Sequence, residues 1–109
     1  MSYEVIAIPS FSRKLKLLAK KFPSLKTDFA ILVDSLQQNS PQGIFLGNNC
    51  YKIRMAITSK GKGKSGGARV IIYLLFSIKK VYLLSIYDKS EKDIILEKEL
   101  KELLNQIIK

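Results

Sequence analysis

The chain of 109 residues contains no histidine and no tryptophan, a single cysteine, and nine acidic residues against 19 lysines and arginines. Without histidine the commonest acid/base side chain is missing, and the Ser-His and Cys-His nucleophile pairs are excluded with it. One cysteine, Cys50, rules out an internal disulfide and gives no sign of an oxidising compartment. Lacking histidine as well, the chain cannot build a structural zinc site of the usual kind. Neither metal nor cofactor is expected, so any catalysis must use Lys, Arg, Tyr, Asp or Glu. No apolar run approaches the ~20 residues that span a bilayer. The opening MSYEVIAIPS lacks a basic n-region and an apolar h-region. A soluble, cytoplasmic protein without a membrane partner is expected.

What is present is enough apolar sequence for a core and a lopsided charge. A hydrophobic content of 47% argues against disorder and fits one compact domain, residues 1–109. The net charge is +10. Residues 1–87 carry 14 Lys/Arg but only Glu4, Asp28 and Asp34, whereas residues 88–109 carry five Lys and six acids. A basic body points to a polyanionic partner: RNA, DNA or an acidic protein.

Periodicity predicts the order βααβββα. Tyr3–Ile8 reads as a strand stopped by Pro9. Ser10 or Ser12 can cap a helix with Leu15, Leu18, Ala19 and Phe22 on one stripe, and Pro23 breaks it. A second helix from about Ser24 carries Leu25, Phe29, Leu32, Val33 and Leu36, and NSPQG (39–43) reads as a loop. In Tyr51–Ile57 apolar residues alternate with Lys52, Arg54 and Ala56, the pattern of a half-buried strand. Val70–Phe76 and Val81–Tyr87, joined by SIKK, should form a central hairpin. Ser90 and Asp93 resemble a capping box for a last helix from about Glu91 to Ile108. The expected fold is a small α+β domain, an antiparallel sheet packed on an N-terminal helical hairpin, with a C-terminal helix.

The most suggestive stretch is KGKGKSGGAR, residues 60–69. Lys60, Lys62 and Lys64 alternate with glycines, and Arg69 follows where the next strand begins. A flexible cationic loop ending in a fixed cation is suited to gripping a phosphate backbone. It is not a P-loop: Thr58 stands where that motif needs its first glycine, and a strand follows where it needs a helix. Lys52 and Arg54 point to one face of their strand, and Ser85, Tyr87 and Lys89 share a face of theirs. With strands antiparallel in sequence order, one end of the sheet would gather Arg54, Arg69, Tyr87 and Lys89. Clustered cations would disfavour protonation of a lysine among them and could supply a base.

GKSGGARVI (63–71), IYDKSEKD (86–93) and CYKIR (50–54) resemble the RelE/ParE toxin superfamily of bacterial toxin–antitoxin systems, and its HigB-like branch in the long KGKGK loop. The resemblance implies an endoribonuclease that cuts mRNA in the ribosomal A site, without metal, by driving the ribose 2′-OH onto the adjacent phosphate. It implies that Arg69 stabilises charge on that phosphate, that Lys52 and Arg54 bind the backbone and help activate the 2′-OH, and that Lys89 adds a further cation. Tyr87 would stack on a base or move a proton, and Lys60, Lys62, Lys64 and Ser85 would line the RNA path. The family's basic tyrosine falls where this chain has Ile94, Ile95 and Leu96, and Arg54 stands where RelE has a lysine. The implied partners are the ribosome, a cognate antitoxin over the basic groove, and promoter DNA only for the toxin–antitoxin complex. Arg69→Ala is expected to remove most of the killing while leaving antitoxin binding and folding nearly intact. Two other readings fit the same chain: a ParE-like gyrase inhibitor, and a non-catalytic nucleic-acid-binding module.

Overall fold

Two periodicities, two residues for strands and nearly four for helices, divide the chain. In the computed structural model, which describes residues 2–107, they give β1 (Glu4–Ala7), α1 (Pro9–Lys21), α2 (Leu25–Gln38), β2 (Ile44–Gly47), β3 (Cys50–Met55), β4 (Ala68–Leu75), β5 (Lys80–Asp88) and α3 (Glu97–Asn105). The fold is α+β: a helical hairpin, one sheet in the order β1-β5-β4-β3-β2, and a C-terminal helix. The β4/β5 hairpin lies at the centre, as its continuous apolar runs require. Val70, Ile71, Ile72, Leu74, Val81 and Leu84 are fully buried there, as are Phe11, Leu25 and Leu36 of the helical hairpin. No helix of the described residues is long and apolar enough to cross a membrane.

Four details differ from the sequence expectation. The sheet is mixed, because β1 pairs parallel with β5. The two elements that follow β1 are helices, so its backbone finds its partner well down the chain, at Lys80–Leu83. A fifth strand, β2, folds back on β3 through Asn48 and Asn49, both in the left-handed region at φ 50° and 60°. Helix α1 begins at Pro9 itself, with Ile8 at the N-cap and no side-chain cap, while Ser10 Oγ donates to Gln106 Oε1. Finally, α3 begins at Glu97 and not at Glu91, since Asp93 spends its carboxylate elsewhere (below). The expected end of that helix at Ile108 lies outside the described residues.

The β3–β4 connection, residues 56–67, is closed by a tight approach at Gly67. A Cβ there would collide with the Met55 carbonyl oxygen and lie 2.9 Å from the Ile57 nitrogen. The same glycine's carbonyl accepts the Lys89 N–H at 3.0 Å, tying the loop to the end of β5. By contrast, Gly63 has open space around it and needs only its φ of +65°. Gly67→Ala is therefore expected to cost about 2 kcal/mol or more of unfolding free energy, by overpacking against backbone. Gly63→Ala should cost about 1 kcal/mol. Urea denaturation of the two variants measures the difference, and equal losses would contradict the close approach.

Candidate nucleic-acid site

Antiparallel register assembles the site. Lys52 of β3 lies opposite Ile71 of β4, and Arg54 lies opposite Arg69. Arg69 in turn lies opposite Tyr87 of β5, and Ile71 opposite Ser85. Paired residues project from the same face. The rung Arg54–Arg69–Tyr87 expected from alternation is thus present, and Lys89 follows directly from the end of β5.

Arg69 is 2% exposed, unusual for a charged side chain unless its donors are satisfied. Its Nη1 donates to the carbonyls of Lys64 (3.1 Å) and Ala68 (3.2 Å), and its Nη2 to that of Ser65 (3.0 Å). Its Nε donates to Asp93 Oδ1 at 2.8 Å. The guanidinium therefore pins the lysine-rich loop from beneath. Against the expectation that Arg69→Ala would leave folding nearly intact, truncation removes a charged donor from each of three buried or half-buried carbonyls.

Asp93 is the residue that sequence reasoning assigned to a helix cap and not to the site. Besides Arg69, Lys52 Nζ lies 4.0 Å from its Oδ1. Its backbone carbonyl accepts Lys52 Nζ at 2.9 Å and the Tyr87 hydroxyl at 3.4 Å. The hydrogen bond from Arg69, with the charges of Lys52, Arg69 and Lys89, holds its carboxyl below the usual carboxylate range. The cationic cluster thus carries its own anion, where the sequence suggested bare cations. The signal that would have found it is the lone acid between Lys92 and the apolar Ile94–Leu96, on the segment leaving β5.

The remaining candidates separate. Tyr87 is buried, with Lys92 Nζ 4.9 Å above its ring, and burial followed by the charges of Asp93 and Glu99 pushes its phenol up to about 12. Lys60 is no loose loop cation: its Nζ pairs with buried Asp88 at 2.7 Å and stands 5.5 Å over the Phe22 ring. Ser85 is fully buried and accepts Lys14 Nζ at 3.1 Å. Lys62 and Lys64 are exposed and point to different clefts. Lys62 joins Lys60, Lys89, Ser65 and Ser90 around a cavity of about 480 Å³. Lys64 joins Lys52, Arg54, Gln42 and Ile44 around another of about 400 Å³. The exposed Arg54 has no acidic partner among the described residues.

No family model matches the chain. Solved structures do. A mutant of the E. coli toxin RelE in the free state superposes with a TM-score of 0.62 at 16% identity, over 98% of this chain and 99% of that one. The isolated E. coli RelE toxin gives 0.53 at 16% identity, over 97% and 99%. The chain shares the RelE fold. At that identity the likeness concerns architecture, so the chemistry of the site has to be argued from its own residues.

Three carboxylates hold the β3–β4 connection, and their titration is a test of the geometry. Burial pushes Asp28 and Asp88 up, but hydrogen bonds from Thr58 and Ser24 to the first, and from Lys60 and Ser90 to the second, outweigh it. With Asp93, all three are depressed in the folded state. A depressed group contributes its stability in full above the unfolded carboxylate range and loses it as pH falls through the folded value. Thermal stability should therefore be flat down to about pH 5 and decline below about pH 4. Asp88→Asn should lower Tm near neutrality and make that acid decline shallower. An unchanged acid limb in a pH series of melting curves would contradict the Lys60–Asp88 pin.

Proposed function

We propose that the chain is the toxin of a type II toxin–antitoxin pair, a metal-independent endoribonuclease that cuts mRNA in the ribosomal A site and so stops translation. The observation that carries this reading is the in-register row Arg54–Arg69–Tyr87, with Lys52 beside it and a cationic cleft on either side. An extended strand laid across that row would meet Lys52, Arg54 and Lys64 at one cleft and Lys62 and Lys89 at the other, cations suited to a phosphodiester backbone. The ribose 2′ oxygen would attack the adjacent phosphorus as its proton passes to water, and the expelled 5′ oxygen would take a proton, leaving a 2′,3′-cyclic phosphate and a 5′-OH.

In this scheme Arg69 and Lys52 stabilise charge on the phosphate, where positive donors have the greatest effect in a partly dehydrated site. Arg54 and Lys89 hold the flanking backbone. Tyr87, with its phenol near 12, enters protonated and suits donation toward the leaving oxygen, not removal of the 2′ proton. Lys60 and Ser85 support the path from below. The KGKGK loop favours the HigB-like branch of the superfamily. An antitoxin with acidic or helical segments would cover the cationic row in the cytoplasm, and promoter DNA would be bound by the pair alone.

Primer extension on an mRNA translated in vitro tests the reading. The wild type should produce new 5′ ends at codon-phased positions, and only during translation. Arg54→Ala should reduce them about tenfold or more, the scale of one lost charge-assisted phosphate contact, with an unchanged Tm. Arg69→Ala should lose both cleavage and several degrees of Tm. Wild-type cleavage by Arg54→Ala would remove that residue from the site. An intact message with blocked DNA supercoiling would move the chain to the gyrase-inhibiting branch, and with normal supercoiling to a binding module.

A further inference from the structure

We propose that Asp93 is an internal stand-in for the RNA phosphate, and that the segment carrying it plugs the site until RNA displaces it. The proposal rests on the RNA-cutting reading above. A carboxylate and a phosphodiester offer a guanidinium the same thing, two anionic oxygens in a plane it can reach. Asp93 Oδ1 takes Arg69 Nε at 2.8 Å and lies 4.0 Å from Lys52 Nζ. These are the two cations assigned to the scissile phosphate. The Asp93 carbonyl also takes Lys52 Nζ and the Tyr87 hydroxyl. One residue thus occupies three of the groups that the reaction needs.

The attachment is built to be released. The Asp93 side chain is 48% exposed, so its end of the pair with the buried Arg69 lies open to solvent and to a competing anion. No backbone N–H of residues 93–96 donates to a backbone carbonyl among the described residues, whereas those of Glu91 and Lys92 just before them both do. Ile94 and Leu96 are 73% and 68% exposed, so only the half-buried Ile95 ties this stretch to the core. The stretch is held chiefly by the polar contacts of Asp93, which are the contacts an incoming phosphate would replace. The loop-pinning bonds of Arg69 Nη1 and Nη2 do not involve Asp93, so the guanidinium can change its anion without releasing the loop.

The test is fluorescence anisotropy with a short, uncleavable 2′-fluoro RNA at one fixed salt concentration. Asp93→Ala should bind about tenfold tighter than wild type, the scale of one competing charge-assisted hydrogen bond. Asp93→Asn keeps an acceptor for Nε, which guards against loss of fold, and should also tighten binding. Glu91→Ala removes a neighbouring exposed charge and should change affinity by less than about threefold. If Asp93→Ala and Asp93→Asn bind no tighter than Glu91→Ala, the plug is wrong while RNA binding stands. Weaker binding by both would make Asp93 a positioning residue and also overturn the plug. RNA bound by none of the proteins would overturn both the plug and the function on which it rests.

Discussion

A guanidinium can sit in the interior of a small domain only when its donors find acceptors, and Arg69 finds four. Three are backbone carbonyls, two of them in the lysine-rich loop, so the charge that would act on a phosphate also gives that loop its shape. The fourth is Asp93. Much of the sheet end follows from this arrangement: the loop is fixed from below, Lys62 and Lys64 are presented outward, and the segment after β5 is drawn across the row.

The same logic repeats around the β3–β4 connection. Asp28 from α2 accepts the Thr58 N–H and hydroxyl, Asp88 at the end of β5 takes Lys60, and Asp93 takes Arg69. Three of the chain's nine acids thus serve one connection, from α2, from the end of β5 and from the segment that follows it. Glycines give the connection its freedom of path and the carboxylates remove it again. Lys62, Lys64, Arg54 and Lys89 are left without acidic partners among the described residues, and all four line one or other of the two clefts.

Alternation of apolar and polar residues in 51–57 was enough to place Lys52 and Arg54 on one face, and antiparallel order then put Arg54, Arg69 and Tyr87 in one row. What sequence could not show was which charges meet across the fold. Lys60 reads as one of three equivalent loop lysines, yet it pairs with Asp88, 28 residues away. Ser90 and Asp93 have the spacing of a helix cap, but a buried arginine outbids a backbone N–H for the carboxylate, and α3 waits until Glu97. The short strand β2 was signalled by Gly47-Asn48-Asn49, a turn composition, although four residues are too few for periodicity to register. The parallel pairing of β1 has no local signal at all, since it depends on which edge the helical hairpin leaves open.

In the free protein, Asp93 holds the place that a phosphate would take between Arg69 and Lys52. The most direct measurement is the NMR signal of the Arg69 Nε–H, followed as uncleavable RNA is added. The account predicts that this resonance shifts with saturation at the RNA's own affinity, together with the backbone signals of Asp93 and Ile94, as one anion replaces another. RNA binding that moves the signals of Lys62 and Lys64 but leaves Arg69 Nε and Asp93 untouched would contradict it.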